Sequence, residues 1–385
     1  MWKYLVKRLL QIVFVIYIYT SICFLLFYAM PGNITSMYAT NPNVKPAMRA
    51  KLIEQLGLNQ PLYKQYLTYM DNVFIKHQFG VSFSHYPTPV WTIIKRRLPR
   101  TFVLFFTATI IAFYVGFTWG KIIAWKRGGV LEYSATLVGV GLWTVFTPMW
   151  GLLLIWLFAF KLGWFPINQF LTPGKWLHTT LSSTTIFNHM LLTAVAASLL
   201  LFLVYSLTRR LIKGRSERAV VNFSALAFAI GAAWWAWSSK GTLYLGLDIL
   251  SHMIVPIITL TTISFGGTML LMRDSMLETV KEDYITTAKA KGLPDRVIRD
   301  RHAARTALLP VVTSFVLSIA FAVDGGVITE TIFSWPGIGM TLLSATVQMD
   351  YPLAIGTFVF TGIFVLFAHL VADILYAYLD PRIKY

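Results

Sequence analysis

The chain has 385 residues, 56% apolar, 15% aromatic and only 13% charged, with a mean hydropathy of +0.63, which excludes an ordinary soluble domain and indicates an integral membrane protein. Its net charge of +17 does not point to nucleic acid, because membrane proteins gather Lys and Arg on their cytoplasmic side for topological reasons. A lone cysteine, Cys23, excludes an intrachain disulfide and a Cys-based metal site, and the seven histidines show no HExxH or similar spacing, so no metal site is expected.

A hydrocarbon core about 30 Å thick takes about 20 apolar residues as a helix, since backbone groups in lipid must be satisfied within the segment. Eight runs meet this, at approximately 9–30, 101–125, 135–160, 189–207, 219–237, 253–272, 308–329 and 354–376. The expected fold is therefore all-α and polytopic. The first run follows Lys3, Lys7 and Arg8, is longer than a secretory h-region and lacks a clear small-residue cleavage site, which predicts a retained anchor starting in the cytoplasm. Next comes a long outer segment, 31–100. Within it Leu62, Tyr63, Tyr66, Leu67 and Met70 recur at helical spacing after Pro61, and 47–56 carries a similar stripe. These predict a small helical cap that either covers span ends or docks a protein delivering substrate.

Alternation from a cytoplasmic start is checked by the basic residues. The assigned inner segments hold 21 of the 33 Lys and Arg, the short outer loops hold 3, and the other 9 lie in 31–100, which is too long for the rule to apply strictly. Both termini are therefore expected in the cytoplasm.

Between the sixth and seventh runs lies "DYITTAKAKGLPDRVIRDRHAARTALLP". From Lys281 to Arg305 it carries seven basic and four acidic residues. At about 3 kcal/mol for each charge at a helix centre, burial in lipid is opposed by roughly 30 kcal/mol, so this is a cytoplasmic loop. Residues 282–291 lack helix breakers and stop at Gly292, while Pro294 suits the first turn of a new helix and Asp295 its positive end. Two short helices with a bend are predicted. Small Thr286, Thr287, Ala288 and Ala290, one turn after Tyr284 and Ile285, suit either a solvated link or a helix that docks in another protein's groove.

Two acids fall within the apolar runs. Asp324, beside Gly325-Gly326, either meets a substrate ammonium group or is hydrated at the outer edge; Asp373 braces the last span near Asp380-Pro381-Arg382. No GxxxxGK[ST] loop occurs, so the chain is not expected to hydrolyse ATP, and no paired carboxylates or nucleophile–base set indicates an enzyme.

The small-residue helix, Gly292 six residues after Thr286, and Leu309-Pro310 resemble the EAA loop of ATP-binding-cassette importer permeases, although Thr286 stands where many members have Glu. "GLNQPLYKQYLTYMDNV", "RLPRT" (97–101), "LGWFP" (162–166), "DYITTAKAKGL", "VITETIFSWPGIG" (327–339), "DYP" (350–352) and "DILYAYLDPRI" (373–383) occur in the order of the B-type permease subunit of oligopeptide and dipeptide importers. The resemblance implies a first region, 1–100, with one span and an outer segment, then a permease domain, 101–385, with a two-span hairpin inserted at about 189–237 and a cytoplasmic coupling loop at 282–305. It implies ATPase coupling through Tyr284, Thr286, Thr287, Ala288, Lys291, Gly292, Arg296 and Arg301. Asp324, Glu330 and Trp335 would belong to the translocation path or outer gate. No cofactor is expected in this chain, with ATP and Mg held by two cytoplasmic ATPases. The other implied partners are a second homologous permease and an extracellular lipid-anchored solute-binding protein, in a bacterial plasma membrane. Oligopeptide is the first substrate reading; dipeptides or nickel complexes are the alternatives, and a proton-coupled carrier using Asp324 and Asp373 is the rival mechanism.

Overall fold

A computed structural model describes residues 2–28, 60–321 and 326–379. Apart from turns and one isolated β-bridge between Val81 and Pro89, the described residues fold into helices. Seven helices are long and apolar enough to cross a membrane, and a bent pair makes an eighth. In chain order the principal helices are α1 (Trp2–Tyr28), α2 (Leu62–Phe74), α3 (Val90–Trp125), α4 (Val130–Thr144), α5 (Thr147–Leu154, continued by a π-helical stretch Ile155–Lys161), α6 (Ser183–Leu211), α7 (Arg215–Ser239) and α8 (Leu243–Thr279). They continue with α9 (Asp283–Ala290), α10 (Ala304–Phe321), α11 (Val327–Ile332), α12 (Ile338–Val347) and α13 (Tyr351–Leu379).

Seven of the eight expected spans are single long apolar helices, and the third and the seventh call for corrections. The third is not straight: α4 and the following helix meet at 105°. Val145 takes an extended conformation (φ −64°, ψ 141°) and Pro148 sits in the first turn beyond it, where its missing N–H costs nothing. The seventh does not run through to 329. Its described part ends at Phe321, and Val327 opens a separate short helix whose N-cap, Gly326, is extended.

The loop bends at Gly292, whose φ of +71° is the left-handed conformation that glycine adopts at least cost. Pro294 stands just before the next helix, as its N-cap, rather than in the first turn. Nor is that helix short: Asp295–Val297 passes through a π-helical turn, Ile298–Ala303, straight into α10.

Two compact units result, residues 154–255 and the remainder of the chain. The hairpin α6–α7 lies within the first. In the other unit, α8 packs on α3 at Gly116 and Gly120. A Cβ on Gly120 would stand 2.6 Å from the Met269 carbonyl oxygen and 2.7 Å from Met272 Cβ, and one on Gly116 would stand 2.7 Å from Thr268 Cβ. Bare glycine spaced by four brings the two backbones together, the device by which membrane helices gain dispersion contact that lipid cannot supply. Gly120→Val is therefore expected to force the helices apart and lower the melting temperature in detergent by several degrees, in line with an overpacking cost of about 1–3 kcal/mol; an unchanged melting curve would contradict it.

α2 packs on α1. Tyr66 Oη donates to Tyr17 Oη (2.9 Å) and pairs with Ser21 Oγ (2.8 Å), while Cys23, Val73 and Val359 of α13 form a buried cluster. The predicted stripe is thus a real helix. Met70 is buried, whereas Leu62, Tyr63 and Leu67 remain exposed. The similar stripe at 47–56 lies outside the described residues.

Candidate functional site

Glu282 N-caps α9 in an extended conformation, Asp283 lies in its first turn and Lys289 in its last, an order of charge that the helix dipole favours. Only two of its residues turn inward. Ile285 (0% exposed) and Ala288 (5%) sit three apart on one face and enter a cluster with Ala124 of α3, Met272 and Met276 of α8, and Ile298, Ala303, Ala304, Ala307 and Val311 leading into α10. Tyr284, Thr286, Thr287, Lys291, Gly292, Arg296 and Arg301 are exposed. Of the predicted coupling residues, Ala288 alone is an anchor; the others form an open surface. Tyr284 Oη donates to Thr306 Oγ1 at 3.0 Å, tying the rim of that surface to α10.

Ion pairs that no sequence signal pointed to brace this platform. Lys121 Nζ of α3 lies 3.2 Å from Asp300 Oδ1, and Arg299 donates to both Asp300 oxygens at 2.9 Å. Glu132 of α4 is buried and accepts from Arg273 Nε of α8 at 2.9 Å and from the Gly128 N–H at 2.6 Å. Gly128 supplies that N–H from a left-handed turn (φ +82°). A charge buried with one good partner stays only if its remaining lone pairs are satisfied, and here the backbone does so. The ends of α3, α4, α8 and α10 nearest the charged loop are therefore cross-linked around the anchored face of α9.

Glu330 and Trp335, assigned above to the outer mouth, are both wholly buried. The Glu330 carboxylate accepts from Thr101 Oγ1 on α3 (2.6 Å) and from the Met340 N–H (2.9 Å), and Thr101 Oγ1 accepts from the Ile338 N–H (2.8 Å). Together they cap the open N–H groups of α12. Trp335 Nε1 donates to the Arg100 carbonyl (3.2 Å) and Arg97 Nη1 to the Pro336 carbonyl (3.2 Å). Gly337 is obligatory here, since a Cβ would overlap both Glu330 Oε1 and Thr101 Oγ1. "RLPRT" and "SWPGIG" are thus the two halves of one clasp. Burial pushes the Glu330 carboxyl up to about 7, against the pull of its hydrogen bonds and of the Arg97 charge.

Asp324 and Asp380-Pro381-Arg382 lie outside the described residues, and Asp373 lies on α13. Among the described residues no group of three or more His, Cys, Asp or Glu could hold a metal.

Comparison with known proteins agrees with the ordered motifs. Residues 207–385 match the family described as binding-protein-dependent transport system inner membrane component, and residues 1–105 match its N-terminal region. Over 387 aligned residues the chain is 30% identical to the oligopeptide transport system permease protein AppB of Bacillus subtilis, covering 100% of both chains. It is 30% identical to the di/tripeptide transport system permease protein DppB of Pseudomonas aeruginosa (100% of this chain, 99% of the other). It is 32% identical to the dipeptide transport system permease protein DppB of Alkalihalophilus pseudofirmus (100% of both).

Proposed function

The chain belongs to the family of binding-protein-dependent transport system inner membrane components, as a permease of the peptide-importer group, and from that premise we propose that it conducts oligopeptides and is driven through α9 by a cytoplasmic ATPase. As a permease subunit it is a multi-pass inner-membrane protein rather than an enzyme, and works within a larger transport complex. In this reading ATP and Mg are bound by two partner ATPases, a second permease completes the pathway, and a lipid-anchored solute-binding protein delivers peptide from outside.

The observation that carries the coupling is the division of α9 into two faces. Thr286, Thr287 and Lys291 are open to a partner, while Ile285 and Ala288 are locked into the ends of α3, α8 and α10. A push received on the open face is passed to three spans at once as a rigid-body displacement, which is what a two-state, alternating-access transporter requires. Dipeptide transport is the second reading, since relatives named for dipeptides are as similar as those named for oligopeptides.

Because the one native cysteine, Cys23, is buried, Thr287→Cys and Arg301→Cys can be labelled from the cytoplasmic side of inverted vesicles against a low background. Both are expected to be shielded when the ATPase subunits are co-expressed and to change reactivity on addition of ATP. Labelling that is identical with and without the ATPases would refute the coupling. Uptake of a labelled pentapeptide that excess dipeptide fails to inhibit would support the oligopeptide reading; complete inhibition by dipeptide would favour the second.

A further inference from the structure

Among the described residues, none of the apolar window of either helix of the hairpin α6–α7 is buried. The two helices are joined at both ends: Thr208 Oγ1 donates to Asn222 Oδ1 (3.2 Å) near the connecting turn, and Trp237 Nε1 donates to Thr193 Oγ1 (3.1 Å) near the other end. Between them runs a groove of about 240 Å³ lined by Leu201, Val204, Tyr205, Asn222, Ala225 and Leu226. It is apolar almost throughout. At the turn end stand Arg209, Arg210, Lys213, Arg215 and Arg218, with Glu217 the one acid. Arg209, Arg210 and Lys213 are exposed, and among the described residues no ion pair engages any of them.

Groove and charge are continuous. The Arg209 guanidinium lies 5.5 Å from the centre of the Tyr205 ring, itself a groove residue, and Arg218 closes the turn by donating to the Lys213 and Gly214 carbonyls. Four residues separate Tyr205 from Arg209, about 6 Å along the axis, the step from an acyl region to a headgroup level. Exposed Trp234 and Trp235 mark the opposite interface. Topology alone accounts for basic residues in a cytoplasmic turn, but not for an apolar groove that leads into them.

We propose that this groove and its basic turn form a binding site for an anionic phospholipid, with one acyl chain between α6 and α7 and the phosphate beside Arg209, Arg210 and Lys213. The site is independent of which peptide the chain conducts. The hairpin would then be an anchor that holds the chain to the anionic lipids of the inner leaflet.

The test is native mass spectrometry of the full-length chain in a mild non-ionic detergent, offered dioleoyl phosphatidylglycerol or dioleoyl phosphatidylcholine. The native chain is expected to retain phosphatidylglycerol preferentially. Near an anionic lipid each basic residue contributes about fivefold, so Arg210→Gln with Lys213→Gln should lower phosphatidylglycerol binding by about tenfold or more and leave phosphatidylcholine unchanged. Ala225→Phe keeps every charge, fills the groove and should lower the binding of both lipids. Equal retention of the two lipids by the native chain, phosphatidylglycerol binding that survives Ala225→Phe, or displacement of the lipid by a partner's helix on assembly would each overturn the proposal.

Discussion

Glu330→Ala is expected to destabilise the chain by several kcal/mol at pH 5 and by markedly less at pH 8. The substitution leaves the buried Thr101 hydroxyl and the part-buried Met340 N–H without their acceptor, and such a loss costs about 1–3 kcal/mol for a buried group. The pH dependence comes from the native side. With its carboxyl raised from 4.5 to about 7, folded Glu330 keeps a proton that the unfolded chain releases above its ordinary pKa. The resulting stability is fully present below about pH 4.5 and is lost as the pH rises to 7, a difference on the order of 2–3 kcal/mol. Alanine does not titrate, so the gap between native and variant narrows by that amount. Glu330→Gln separates the two effects. Its amide oxygen can accept from α12 and its N–H can be given to Thr101 Oγ1, so it should fold well and show no loss between pH 5 and pH 8. Thermal melting of the three proteins at both pH values checks this; a Glu330→Ala penalty that is the same at both would show that the carboxyl is ionised throughout.

Ile285→Asp is expected to abolish transport while the chain still inserts. It places a carboxylate among Met272, Met276, Ala303 and Ala307, where Ile285 is fully buried. Burying an unpaired charge costs several kcal/mol, more than an eight-residue helix can recover from its own hydrogen bonds, so α9 should lift away from α3, α8 and α10. Thr287→Ala, on the open face, should leave folding unchanged, and Ile285→Leu, which nearly conserves volume, should cost under about 1.5 kcal/mol. Uptake measured beside limited proteolysis of the 282–305 segment distinguishes the outcomes: Ile285→Asp should lose uptake and gain cleavage there, whereas Ile285→Leu should do neither. Full uptake by Ile285→Asp would mean that the anchored face of α9 does not transmit the push.

Several features were legible before any coordinates. The stop at Gly292 and the helix that begins after Pro61 follow from their own sequence signals, whereas the break in the third span has one in Pro148 that the expectation of a single run over 135–160 passes over. Ile285 and Ala288 lie three apart on a helix whose other residues are Asp, Tyr, Thr, Lys and Ala; the sequence grouped Ala288 with the small docking residues, and only the packing shows that it faces inward. The glycine pair Gly116 and Gly120 could also have been read as a close crossing, since the four-residue spacing is a known device. Other features had no local signal. Glu330 is a carboxylate at the outer side in the sequence, and nothing near it reveals that it caps α12 and is held by Thr101, 229 positions away. The pairs Glu132–Arg273 and Lys121–Asp300 are equally silent, because their partners lie on different helices.

Sequence alone determined which segments are long and apolar enough to cross a bilayer and where the charged loop lies between them. These follow from the local cost of placing residues in hydrocarbon, a cost paid segment by segment whatever the rest of the chain does. Tertiary structure alone decided which face of α9 is closed, that "RLPRT" clasps "SWPGIG", and which acids are neutralised from another helix. Those outcomes depend on packing between segments far apart in sequence, where the energy belongs to the pair and to neither residue by itself.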